Sequence, residues 1–139
     1  MGSLNQGIQR GFLLDTHTFL WAAKCPERLG GQARGILEDI ESRLYLSSIS
    51  AFEIANKFRI GKLDPTYESV LEGYTSFVRQ LGIEDLPLTC AHAYLAGTME
   101  WDHRDPFDRF IVAQASLENL VIISNDAQMQ AHPWVDVVW

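Results

Sequence analysis

Residues 105–126 read DPFDRFIVAQASLENLVIISND. Proline lacks a backbone N–H, and at the first position of a helix that N–H has no partner anyway. Pro106 therefore marks a helix start, with Asp105 as its N-cap. Asp108 falls at the third helical position, where the helix dipole favours a negative charge. The stretch 106–117 reads as a clear helix. Leu120, Val121, Ile122 and Ile123 follow as an unbroken apolar run, the strongest strand signal in the chain. Asp126 stands just past its end. The unit is a helix, then a strand, then an acid.

The same alternation runs outward from this stretch. Residues 11–15 are a short apolar run ending in Asp15, which reads as a buried strand. A helix over 16–24 follows, with Phe19, Leu20 and Ala23 on one side, and Cys25-Pro26 ends it. Ala33, Ile36, Leu37 and Ile40 have helical spacing and predict a helix over 29–41. Residues 44–47 read as a strand. A helix over 50–60 is stopped by Gly61, and another over 67–81 ends at Gly82. A short strand over 83–86 is closed by Pro87, and 89–99 reads as helical. After the central unit come a helical turn over 125–131 and a last strand over 135–138. Strands alternating with helices predict a single α/β domain over 11–139, with a mainly parallel sheet flanked by helices. Residues 1–10 read as a leader ahead of it, native or added.

A length of 139 residues suits one domain with a core of its own. Hydrophobic residues make up 47% and charged ones 21%, which excludes a disordered chain. Cys25 and Cys90 have no zinc or redox spacing and read as reduced thiols. No apolar run is long enough to span a membrane. The start lacks the apolar stretch of a signal peptide, and Gln6 stands where a myristoylation motif has Ser or Thr. The expected location is the cytoplasm. The net charge of −7 argues against a general nucleic-acid binder. It does not argue against a metal nuclease, which needs acids in one place. Lys57, Arg59 and Lys62 form a local basic group, read as a solvated helix end.

The acids are the informative residues. Asp15 follows the first strand, Glu53 lies early in the helix after the second, Asp105 and Asp108 open the long helix, and Asp126 follows the strand at 120–123. Taken singly, each has a structural use. Ser50-Ala51-Phe52-Glu53 matches a capping box, and Asp15, Asp105 and Asp126 suit N-caps. Open parallel sheets place their ligand sites at the carboxyl ends of strands. Acids gathered there repel one another unless a cation sits among them, and hard oxygen ligands suit Mg²⁺ or Mn²⁺.

Four stretches carry a resemblance. Phe12-Leu13-Leu14-Asp15-Thr16-His17 resembles the opening motif of PIN domains of the VapC toxin type. Ser48-Ile49-Ser50-Ala51-Phe52-Glu53-Ile54 resembles their second motif. His103-Arg104-Asp105-Pro106-Phe107-Asp108-Arg109 with Ala113-Gln114-Ala115 resembles the third, the most specific of the four. Ile122-Ile123-Ser124-Asn125-Asp126 resembles the fourth. They occur in family order and span nearly the whole chain.

The resemblance implies a Mg²⁺-dependent endoribonuclease, with Mn²⁺ able to substitute. The catalytic acids that carry over are Asp15, Glu53, Asp108 and Asp126, with Asp15 and Asp108 as the metal ligands. Asp105, one turn before Asp108, and Ser124 are further candidates. It also implies a homodimer, an RNA substrate and a VapB-like antitoxin that blocks the site. Arg104 and Arg109 could offset charge on a phosphate or serve as ordinary paired side chains. His17 and His103 read as structural neighbours of the motifs, and Trp101, between Glu100 and Asp102, reads as the exposed tryptophan. Two rivals are weaker. A haloacid-dehalogenase-like, metal-dependent phosphatase needs a second Asp where His17 stands, and Gly30-Gly31-Gln32-Ala33-Arg34-Gly35 follows no strand, as a dinucleotide fingerprint would. A third rival is a catalytically silent PIN-like protein-binding module that keeps its acids only as caps.

Overall fold

The computed structural model describes residues 9–139. Most of the expected leader therefore lies outside the described residues. Five strands form one sheet: β1 (Phe12–Leu14), β2 (Leu44–Ser47), β3 (Ile83–Leu86), β4 (Val121–Ile123) and β5 (Val137–Val138). Their order across the sheet is β3-β2-β1-β4-β5, and every pairing is parallel. Among the described residues there are eight α-helices. These are α1 (Thr16–Lys24), α2 (Gly31–Glu38), α3 (Ser48–Arg59), α4 (Glu68–Glu72), α5 (Tyr74–Gln80), α6 (Cys90–Thr98), α7 (Pro106–Glu118) and α8 (Ala127–Gln130). None is long and apolar enough to cross a membrane.

Alternate residues of a strand face opposite sides of a sheet, and here both sides are covered. Leu14 and Ile123 point into one core with Phe19 of α1, Ala33 of α2, Ile54 of α3, Val70 of α4 and Val78 of α5. Leu13 and Ile122 point into the other with Ala96 of α6, Ile111, Val112 and Ala115 of α7, and Met129 of α8. Each such buried side chain stabilises the fold by about 1.5–3 kcal/mol before conformational entropy is counted. The chain builds the sheet outward from β1 through β2 to β3, then returns through α6 and α7 to lay β4 on the other side of β1. The strand order therefore reverses between β1 and β4, and the carboxyl ends of these strands form the crevice where such sheets bind ligands.

Three local expectations are corrected. Ser50 is not an N-cap: Ser47, at the end of β2, accepts the N–H of Ile49, and α3 begins at Ser48. The expected helix over 67–81 is two helices that meet at Gly73, a residue of low helix propensity. The helix expected to reach residue 41 stops at Glu38, because Asp39 turns the chain by accepting the N–H of Glu41 on its own side chain. Ile40 is left exposed rather than on the core face.

Candidate active site

Asp15 leaves the end of β1 with extended backbone and caps α1, its Oδ1 accepting the Thr16 N–H at 2.8 Å. The pairing of β1 with β4 extends past the strand, since the Asp15 N–H donates to the Ile123 carbonyl. That register brings the buried Ser124 hydroxyl to Asp15 Oδ2, where it donates at 2.8 Å. Ser124 Oγ in turn accepts the Asp126 N–H at 3.0 Å. Burial raises the Asp15 carboxyl above the usual carboxylate range. The nearby Glu53 charge adds to this, while the Ser124 and Thr16 hydrogen bonds and His17 offset part of it.

Glu53 is buried on α3 and held at both oxygens. Thr16 Oγ1 donates to Oε1 at 2.7 Å and Lys57 Nζ donates to Oε2 at 2.8 Å. A hydroxyl has one proton to give, so the 2.9 Å contact between Thr16 and Ser50 has Ser50 as donor. Ser50 and Thr16 thus form a chain of directed hydrogen bonds ending on Glu53. Burial alone would lower the Lys57 ammonium, but the Glu53 hydrogen bond and the charges of Glu53, Asp105 and Asp108 outweigh it and hold it above the ordinary value.

The third group sits at the start of α7. Asp105 is the N-cap, accepting the Phe107 N–H at 2.9 Å, with Pro106 at the first helical position as the sequence predicts. Asp108 Oδ2 and His103 Nε2 are hydrogen-bonded across 2.5 Å. Among the described residues, His103, Asp105 and Asp108 offer three ligand atoms within 4.8 Å of one another. The Asp108 carboxyl is pushed up to about 7, first by burial and then by the charges of Asp105, Asp15 and Asp126, against the opposing His103 hydrogen bond. Asp126 completes the set as the cap of α8, its Oδ1 accepting from the Gln128 and Met129 N–H groups.

The sequence-predicted residues therefore meet in one electrostatic site, built from the ends of β1 and β4, from α3 and from the start of α7. Asp15, Ser124 and Asp126 are linked directly, and Glu53 joins them through Thr16. Asp108 interacts with Asp15 through space, and its direct partner is His103. The donor set fits a divalent cation. It is mostly hard carboxylate oxygen, and burial, with the charges of the neighbouring acids adding to it, holds the Asp108 carboxyl up at about 7.

Several readings change. Lys57 is not a solvated helix end but part of this site, and its place four residues after Glu53 on one helix was the available signal. His103 holds Asp108; it lies in a loop, where no periodicity could place it. Arg109 spends four of its five N–H donors on backbone: its Nε, Nη1 and Nη2 donate to the carbonyls of Ala96, Trp101, His103 and Met99, tying the end of α6 and the α6–α7 loop. Trp101 is half-buried, with its ring centroid 5.0 Å from that of His103 and 4.7 Å from that of His132, and Trp134 is the exposed tryptophan. A cleft of about 550 Å³ beside the site is lined by Gly97, Trp101, Asp102, His103, Arg104 and Arg109. The larger cavity, about 850 Å³, opens at the other end of the strands, beside Phe12 and Val121, and none of the site acids lines it.

The family model for the PIN domain matches residues 12–135. No curated protein matches the chain. Two solved structures are similar. One is VapBC2 from Rickettsia felis bound to a DNA fragment from their promoter, at 15% identity and a TM-score of 0.60, over 91% of this chain and 96% of that one. The other is FitAB bound to an IR36 DNA fragment, at 19% identity and a TM-score of 0.61, over 91% of this chain and 93% of that one. At these identities the likeness is one of fold.

Proposed function

The chain belongs to the PIN-domain family, and on that premise we propose that it is a metal-dependent endoribonuclease, the VapC-type toxin of a toxin–antitoxin pair. The observation that carries this reading is the convergence of Asp15, Glu53, Asp108 and Asp126 at the point where the strand order reverses, where burial and then the charges of Asp105, Asp15 and Asp126 raise the Asp108 carboxyl. Asp15 and Asp108 would hold the cation, Mg²⁺ in the cell with Mn²⁺ able to replace it. Asp105, which already caps α7, stands close enough to join them. A cation bound there lowers the pKa of a water and offsets charge on a phosphodiester.

The chain's own residues supply the positioning. Ser124 fixes the rotamer of Asp15 and the backbone of Asp126. Thr16 fixes Glu53, whose carboxylate orients the attacking water together with Asp126. His103 holds the Asp108 carboxyl through its ring Nε2. Attack in line with the leaving oxygen gives 3′-hydroxyl and 5′-phosphate ends. Electrostatic stabilisation then comes from a few fixed groups rather than from a basic surface, in keeping with the net charge of −7. The VapC-type motifs and the likeness of fold to VapBC2 and FitAB support a homodimer in the cytoplasm restrained by a VapB-like antitoxin. Phe52, 58% exposed and paired with Phe107 between the Glu53 and Asp108 helices, gives such an inhibitor an apolar rim to grip beside the acids.

The test is cleavage of total RNA and a tRNA pool by protein stripped of any bound antitoxin, in Mg²⁺ or Mn²⁺. Cleavage is expected to stop with EDTA and with Asp15→Asn. Cleavage that survives both would overturn the mechanism. No cleavage together with no Mn²⁺ binding would leave the protein-binding module as the better reading.

A further inference from the structure

An acidic enzyme that acts on a polyanion must hold it with few cations at defined places. The chain has 11 Lys and Arg against 18 Asp and Glu. At the candidate site, Arg109 spends four of its five donors on backbone carbonyls. Lys57 does not. An ammonium has three donors, and Glu53 Oε2 takes one at 2.8 Å. The side chain is 36% exposed, so its tip reaches solvent, while the carboxylate beneath it is 8% exposed. That carboxylate cannot swing away, because Thr16 holds its other oxygen and Ser50 holds Thr16. Glu53 thus holds an ammonium close enough to the start of α7 to feel the charges of Asp105 and Asp108.

We propose that Lys57 is a catalytic residue whose ammonium, held by Glu53, binds the non-bridging oxygens of the RNA phosphodiester being cut. The proposal rests on the ribonuclease reading above. Glu53 then has two roles. Both of its oxygens are already engaged, one by the threonine and one by the lysine, so it positions a cation as well as a water. A point charge on a flexible stem suits a phosphate that shifts during in-line displacement. It also places positive charge where a metal alone would have to neutralise the whole phosphodiester.

A lysine that only braced Glu53 and a lysine that contacts RNA predict different results. The variants are Lys57→Met, Lys57→Arg and, as a control for charge alone, Lys62→Met. The readouts are kcat and KM over a salt series, and Mn²⁺ affinity by electron paramagnetic resonance. Lys57→Met is expected to lower kcat/KM about 100- to 1,000-fold, the scale of losing one preorganised donor at a developing charge. It should flatten the dependence of log(kcat/KM) on log[salt] by about 0.7, one phosphate contact on a single strand. Lys57→Arg should recover part of the loss, and Lys62→Met should change neither quantity. Mn²⁺ should bind Lys57→Met at least as tightly as the parent, because a nearby positive charge has gone. If Mn²⁺ affinity and cleavage fall together, Lys57 is a brace for the acid site and the proposal is wrong. If Lys57→Met cleaves like the parent, the proposal fails and the ribonuclease reading stands. If the parent cleaves no RNA, the ribonuclease reading fails and takes the proposal with it.

Discussion

Replacing Asp108 by Asn should make the metal-free protein more stable at alkaline pH, although it removes a candidate metal ligand. Asp108 has 15% side-chain exposure, and its carboxyl is raised to about 7, chiefly by burial and then by Asp105, Asp15 and Asp126. In the unfolded chain it returns to 3.8. The fold therefore binds this proton more tightly than the unfolded chain does. The contribution is complete below the unfolded value and is lost as pH rises through about 7. Linkage puts the part lost between pH 5 and pH 8 at about 2–3 kcal/mol. Burial lowers the His132 imidazole, and that acts with the opposite sign, but it is common to parent and variant and cancels in the difference. Asn keeps an oxygen for His103 and brings no charge. The assay is urea unfolding in EDTA at the two pH values. The parent should lose about 2–3 kcal/mol more than Asp108→Asn on going from pH 5 to pH 8. Mn²⁺ added at pH 8 should restore the parent and do little for the variant. Equal losses in both proteins, or a larger loss in the variant, would refute the picture of an overcrowded acid site.

Two further outcomes follow from the hydrogen bonds. Ser124→Ala removes the buried donor to Asp15 and the acceptor for the Asp126 N–H, and should cost about 1–3 kcal/mol in thermal or chemical unfolding while slowing RNA cleavage. Arg109→Ala unties four carbonyls at the end of α6 and in the α6–α7 loop and should cost about 3 kcal/mol or more, whereas Arg104→Ala, at an exposed position, should stay within about 0.5 kcal/mol; similar effects of the two would show that the Arg109 fan does not hold the loop.

The parts of the fold written in local chemistry were legible. Short apolar runs gave β1, β2 and β4, the strands at 83–86 and 135–138 were read without one, and Asp15, Asp105 and Asp126 are the caps that their positions suggested. Local chemistry was also where the errors arose. Ser47, Ser48 and Ser50 all offer a capping hydroxyl, and the end of β2 decided for Ser47. Glu53 therefore sits deeper in α3 than a capping box would put it, with its side chain directed to Thr16 and Lys57 instead of to a backbone N–H. Asp39 competed with the helix through its own side chain and won, which no hydrophobic spacing could reveal. The composition of the site depended on strand order. Asp15 meets Ser124 because β1 pairs with β4, a contact across 109 residues of sequence. His103 was read as a structural neighbour of its motif, but its partner Asp108 was not foreseen because a loop residue has no period to place it, and Lys57 was missed because its charge was assigned to its sequence neighbours rather than to Glu53 one turn back.

The central claim is that acids from separate elements form one divalent-cation site at the carboxyl ends of β1 and β4. Anomalous diffraction from a crystal soaked in Mn²⁺ tests it most directly. The account predicts a peak in contact with carboxylate oxygens of both Asp15 and Asp108, lost in a crystal of Asp15→Asn. A peak held only by His103, Asp105 and Asp108, or no peak at saturating Mn²⁺, would contradict it.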